Sequence, residues 1–119
     1  MKDKLTKVIV PKGWGQEEWI VNNEKYCGKV LLFEQAKKCS FHYHKLKTET
    51  FYLESGILEV KYSWENLLEA ADSVTLLPGD SFHVPVGLRH QMYAVEKSKL
   101  FEFSTQHFEE DSYRIVRGD

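Results

Sequence analysis

Apolar and polar residues alternate with a period of two over most of this chain. The pattern predicts strands at Glu17–Val21 (EEWIV), Gly28–Glu34 (GKVLLFE), Cys39–His44 (CSFHYH), Thr50–Glu54 (TFYLE) and Gly56–Ser63 (GILEVKYS). After an interruption it resumes at Val74–Leu77, Ser81–Pro85, Gln91–Glu96 and Leu100–Thr105. β-Branched and aromatic residues dominate these runs, and turn formers such as NNEK, ESG and LPGD separate them. Short strands with that punctuation predict an all-β sandwich or barrel. One segment breaks the pattern. In Ser63–Ser73 (SWENLLEAADS), Trp64, Leu67, Leu68 and Ala71 are spaced as on a helix, and the same residues suit a long hairpin loop on a barrel rim. Near the start, Lys7–Val10 is a candidate for an added strand ahead of Pro11.

Length and composition narrow the picture. A chain of 119 residues suits one domain with one core, and no repeat, linker or low-complexity tract divides residues 1–119. Aromatic residues make up 13% of it, enough large rings to offset chain entropy by burial. With 16 basic and 18 acidic residues there is no positive excess to hold a phosphate backbone, so nucleic acid is not an expected partner. No apolar run approaches the roughly 20 residues of a membrane helix, and the N-terminal apolar stretch is too short for a secretory signal. The expected location is the cytoplasm. Cys27 and Cys39, the two cysteines, read as free thiols rather than a disulfide.

The chemistry concentrates in CSFHYHKLKTETFYLESG, Cys39 to Gly56. Residues two apart on a strand share a face, so His42 and His44 point together, and Glu49 opens the next strand beside them. Further on, PGDSFHVPVGLRH ends in His90, with Gly79, Pro85 and Gly87 suited to tight turns that swing it back. Burying such polar groups unpaired costs several kcal/mol, on the order of known desolvation penalties. A cation is the natural compensation. His42, His44, Glu49 and His90 form a ligand set suited to a divalent transition metal: iron, manganese, nickel, cobalt or zinc.

These residues resemble the two motifs of the cupin superfamily. In the first, G(X)5HXH(X)3-4E(X)6G, the chain supplies His42, His44, Glu49 and Gly56, with Ala36 at the opening glycine. In the second, G(X)5PXG(X)2H(X)3N, it supplies Gly79, Pro85, Gly87 and His90, with Ala94 at the closing asparagine. The motifs span 36–56 and 79–94. The resemblance implies a double-stranded β-helix, the jelly-roll barrel, in a single domain with a metal inside. It also implies a homodimer formed through sheet edges or exchanged N-terminal strands such as Lys7–Val10. The entry segment KGWGQEEWIVNNEKYCGKVLLF and the tail FEFSTQHFEEDSYRIVRGD are similar to those of type II phosphomannose isomerase domains, with Glu109, Glu110 and Asp111 for an acidic cluster and Arg114 for the arginine that follows.

That likeness implies a small-molecule partner, a sugar or sugar phosphate, and an aldose–ketose isomerisation through a metal-stabilised enediolate. Candidate bases are Glu49, His83 and His107; by alternation either His83 or the pair Phe82 and Val84 faces inward. Lys38 and Ser40 share strand parity with His42 and His44 and are candidate substrate contacts, as is Arg114 for a phosphate. Trp14, Trp19 and Trp64 are candidates for stacking on sugar rings, or for packing. The EED run reads as a solvated face. Two other readings use the same ligand set: a non-haem iron dioxygenase, and a non-catalytic sensor or carbohydrate-binding module.

Overall fold

The computed structural model describes residues 4–119. Among the described residues nine strands follow in order: β1 (Val8–Lys12), β2 (Gly15–Asn22), β3 (Cys27–Phe33), β4 (Phe41–Tyr43), β5 (Glu49–Ser63), β6 (Asp72–Leu76), β7 (Ser81–Val84), β8 (Arg89–Ser104) and β9 (Tyr113–Val116). Every strand pairing is antiparallel. Among the described residues the only helical piece is one 3-10 turn, Leu68–Ala70, and no helix is long and apolar enough to cross a membrane.

Two long strands organise the molecule. β5 pairs with β8 from Glu49↔Ser104 to Ser63↔Arg89, and each gives its other edge to shorter strands. β8 adds β3 along one half and β4 at the other, while β5 adds β7 and β6. Register shifts interrupt the β5–β8 ladder between Leu53 and Leu58, where Gly56 takes φ +91°. Extra residues of this kind bend a strand and raise its twist, so the sheet curls back on itself. The curl is large. Drawn flat at about 3.3–3.4 Å per residue, the ladder would hold Glu49 and His90 roughly 45 Å apart; here their side chains are 3.1 Å apart.

The alternation of the sequence becomes the division between core and surface. In β3, Cys27, Lys29, Leu31 and Phe33 are buried while the residues between them are half-exposed. Phe51, Leu53, Leu58 and Val60 from β5 meet Met92, Ala94 and Leu100 from β8, with Leu76 and Val84 alongside. Trp14 caps this apolar interior by stacking on Phe33 at 4.1 Å between ring centroids. The same inward positions carry Lys29, Glu49, His90 and Glu102 elsewhere. One interior therefore has an apolar filling and a polar cavity.

Several sequence expectations change. The helix-like segment Ser63–Ser73 forms the end of β5, a loop and one 3-10 turn; Trp64 and Leu67 are exposed, so no core exists for a helical face to pack on. Thr50–Glu54 and Gly56–Ser63 merge into β5, and Gln91–Glu96 and Leu100–Thr105 into β8, because ESG and EKSK are bulged rather than turned. The expected strand Cys39–His44 shrinks to Phe41–Tyr43, and a strand not expected, β9, pairs with it. Lys7–Val10 lies mostly within β1, which forms a hairpin with β2 of its own chain.

Gly56 marks the bend energetically. A Cβ there would stand 2.3 Å from Ser98 Oγ and 2.4 Å from the Lys97 carbonyl, whereas Gly79, at φ +97°, has nothing within 4 Å. Alanine at either site carries strain of about 1–3 kcal/mol, and only at Gly56 is a backbone collision added. Urea unfolding should accordingly show Gly56→Ala to be clearly more destabilising than Gly79→Ala.

Candidate metal centre

The curl brings β4, the start of β5 and the start of β8 to one cavity of about 530 Å³. His42, His44 and His90 meet on its wall, their ligand atoms all within 4.8 Å of one another. Each ring is oriented by the main chain. His42 Nδ1 lies 2.9 Å from the Ser40 carbonyl, His44 Nδ1 2.6 Å from the Asp111 carbonyl, and His90 Nδ1 3.0 Å from the Leu88 carbonyl. A carbonyl only accepts, so each Nδ1 carries the hydrogen and donates it. Each Nε2 is left with a lone pair directed at the cluster. Burial, reinforced by the neighbouring His90 and His44, keeps His42 well below its usual range and therefore neutral.

Glu49 completes the set. Its Oε2 lies 3.2 Å from His44 Nε2 and 3.1 Å from His90 Nε2, yet no hydrogen bond satisfies it. Lone pairs facing a carboxylate oxygen account for that. Burial pushes the Glu49 carboxyl up, but the Lys47 ammonium beside Oε1 counters it, and the group is held well below its ordinary value. An ionised, buried oxygen with no donor, beside the lone pairs of His44 and His90 and on the same wall as His42, makes a set of acceptors that wants a cation. The donor atoms fit a divalent first-row metal, which His42, His44, His90 and Glu49 would hold.

A second layer of charge surrounds the cluster, and sequence reading did not find it. The Lys47 ammonium lies 3.2 Å from Glu49 Oε1, 3.1 Å from Glu102 Oε2 and 3.0 Å from His107 Nδ1. Three N–H groups meet three acceptors, which holds Glu49 so that only Oε2 faces the histidines. Burial works against the charge of Lys47, but these carboxylates outweigh it and raise its ammonium above the usual lysine range. Lys29, equally buried, approaches Glu17 Oε1 at 3.4 Å and sits 4.6 Å over the Trp19 ring. Lys29 and Glu102 were legible in principle, since each occupies an inward position of an alternating strand between apolar neighbours. Lys47 and Asp111 lie outside the strands and carried no such signal.

Asp111 departs from the solvated face expected of the EED run. It is buried, its carboxylate accepts the backbone N–H groups of Lys45, Leu46 and Lys47, and its carbonyl orients His44. Glu109 of the same run is exposed, with a side-chain exposure of 72%. The other candidates divide. Ser40 lines the cavity, its hydroxyl 3.1 Å from His42 Nδ1, and Arg114 and His107 also line it. Lys38 does not: residues 37–40 leave regular strand geometry, which breaks the parity with His42, and Lys38 is exposed on the outer face near Tyr93. His83 is exposed too, its Nδ1 3.3 Å from Thr50 Oγ1, because Val84 takes the inward position of β7. Trp14 and Trp19 are packed, the former lining the cavity; Trp64 is outside it. Cys27 and Cys39 are free, and burial pushes the Cys39 thiol up to about 12, which leaves it unreactive.

No family model and no curated protein matches this chain. Solved structures do. The capsular polysaccharide assembling protein CapF from Staphylococcus aureus superposes with a TM-score of 0.79 over 95% of this chain and 34% of its own, at 15% identity. KdgF from Halomonas sp. gives 0.68 over 80% of this chain and 81% of its own, at 20% identity. A variant of oxalate decarboxylase from Bacillus subtilis gives 0.78 over 91% and 30%, at 18% identity. The chain thus spans about a third of CapF and of the decarboxylase. At these identities the likeness establishes the fold, which is the cupin double-stranded β-helix.

Loading the site should tie β4, β5 and β8 together. Nickel, zinc or manganese at about a hundredfold excess over its dissociation constant adds about 2.7 kcal/mol, and chelation reverses it; thermal denaturation should show the shift in wild type and lose most of it in His90→Ala. Acid acts separately through His107, which burial, aided by Lys47 and Lys29, lowers from 6.5 to about 3. Between those values the unfolded chain takes up a proton that the folded chain refuses, so stability falls as pH drops through that window. In metal-free protein, Tm should therefore decline less steeply from pH 6.5 to 4 in His107→Gln than in wild type.

Proposed function

We propose that this chain binds a sugar or sugar phosphate against a divalent metal and interconverts its aldose and ketose forms. One observation carries the reading: three imidazole lone pairs and an unsatisfied carboxylate oxygen stand on the wall of a polar cavity large enough for a hexose derivative. The similarity of KGWGQEEWIVNNEKYCGKVLLF and of the tail to type II phosphomannose isomerase domains supports the substrate class. One fold neighbour, a capsular polysaccharide assembling protein, is in keeping with a sugar ligand.

A bound divalent cation supplies polarisation of a carbonyl or hydroxyl oxygen. The residues divide the remaining work. Moving a proton between adjacent carbons needs a base, and Glu49, ionised and at the cluster, is the side chain assigned to it. Lys47 holds the other oxygen of that carboxylate and so limits its freedom. His107 is too weak a base at neutral pH, being held at about 3, and its Nδ1 already meets Lys47. Its Nε2–H instead offers a donor to a substrate hydroxyl. His83 lies outside the cavity and takes no part. Arg114, exposed on the cavity wall, can meet a phosphate with two parallel N–H groups.

Metal-loaded protein incubated with hexose phosphates in deuterium oxide should wash label into the carbon next to the carbonyl, as read by NMR. Glu49→Gln should slow this by at least about a hundredfold, within the range for loss of general base catalysis, while metal remains bound. Ligand binding with no turnover by wild type would replace the isomerase with a binding module. Oxygen uptake by the iron-loaded protein, with no isomerisation, would replace it with a dioxygenase.

A further inference from the structure

The two buried lysines of the cavity are not equivalent. Lys47 is saturated, its three N–H groups matched by Glu49, Glu102 and His107 at 3.0–3.2 Å. Lys29 is not. Among the described residues its one polar contact is Glu17 Oε1 at 3.4 Å, and that oxygen already accepts the Trp19 Nε1–H at 2.8 Å. Yet the Lys29 side chain is only 1% exposed. It cannot turn away, because strand alternation places it inward between Cys27 and Leu31, with the Trp19 ring against its ammonium. Such a group retains N–H donors on the cavity side and no further protein acceptor for them.

Charge points the same way. Acidic and basic side chains lining the cavity are equal in number, so a divalent cation at the histidines makes the loaded cavity positive. A neutral ligand would leave both that charge and the spare donors of Lys29 unanswered. An anionic one answers both.

We propose that Lys29 is the buried anion-recognising residue of this cavity, with the exposed Arg114 at most a secondary contact, and that its ligand carries a carboxylate or phosphate in addition to the oxygens facing the metal ligands. The assignment rests on the sugar-binding reading above and narrows it to acidic or phosphorylated sugars. Lys29, inside the barrel, then takes the part expected of Lys38, which the structure places outside. Trp19 and Glu17 are its positioning partners: the ring bounds the ammonium on one side, and the carboxylate aims it.

Manganese-loaded protein is titrated with glucose, glucuronate, glucose 6-phosphate and inorganic phosphate, with calorimetry and tryptophan fluorescence as readouts. Glucuronate or glucose 6-phosphate should bind at least tenfold more tightly than glucose, and whichever is preferred tells carboxylate from phosphate. Lys29→Met should reduce that preference to about one and weaken inorganic phosphate at least tenfold, and Lys29→Arg should keep both. Equal affinity of wild type for glucose and both anionic hexoses overturns the assignment and leaves the sugar reading standing; this arm needs no variant. A preference that survives Lys29→Met also overturns it. Phosphate binding that depends on Lys29, with no hexose bound, supports the anion site and removes the sugar reading. Failure of all four probes to bind overturns both.

Discussion

Everything in this molecule depends on a ladder that does not stay flat. β5 and β8 pair along nearly their whole lengths, and Glu49 and His90 stand at opposite ends of that pairing. The bulges around Gly56 turn the ladder over until the two side chains touch. Without the turn there is a sheet with a hydrophobic face and a few stranded polar residues. With it there is a closed interior, and the polar positions that alternation placed inward become the walls of one cavity.

Within that cavity the protein controls charge by committing hydrogens elsewhere. Each histidine gives its Nδ1–H to a main-chain carbonyl, so the lone pairs have one direction left. Lys47 gives its hydrogens to three acceptors and so decides which oxygen of Glu49 is free. A buried lysine among carboxylates is costly to break by removing one partner, about 3–5 kcal/mol by analogy with other buried pairs. The site is therefore preorganised by groups that never reach its centre. Lys29, left with donors to spare, stands apart from this arrangement and lines the cavity.

The convergence of His42, His44, Glu49 and His90 was legible in the sequence because their spacing is a property of the local chain: two residues apart on one strand, a short connection to Glu49, and glycines and a proline ahead of His90. The fold class was legible for a similar reason, as period-two alternation survives any sheet topology. What escaped has a physical explanation in each case. Strand ends could not be placed because a bulge and a turn use the same residues, as ESG within β5 shows. Parity failed at Lys38, where the chain leaves strand geometry before β4. Asp111 looked like part of an exposed acidic run, and its partners, the N–H groups of Lys45 to Lys47, lie more than sixty residues away.

Asp111 also sets the order in which the molecule can be completed. The carbonyl that orients His44 and the carboxylate that gathers the Lys45–Lys47 loop both belong to a residue that follows both histidine motifs, just before β9 pairs with β4. On a ribosome, where domains emerge from the N-terminus onward, both histidine motifs leave the exit tunnel before the group that aims one of them. A nascent chain thus carries His42, His44 and His90 before the residue that orients His44 has emerged.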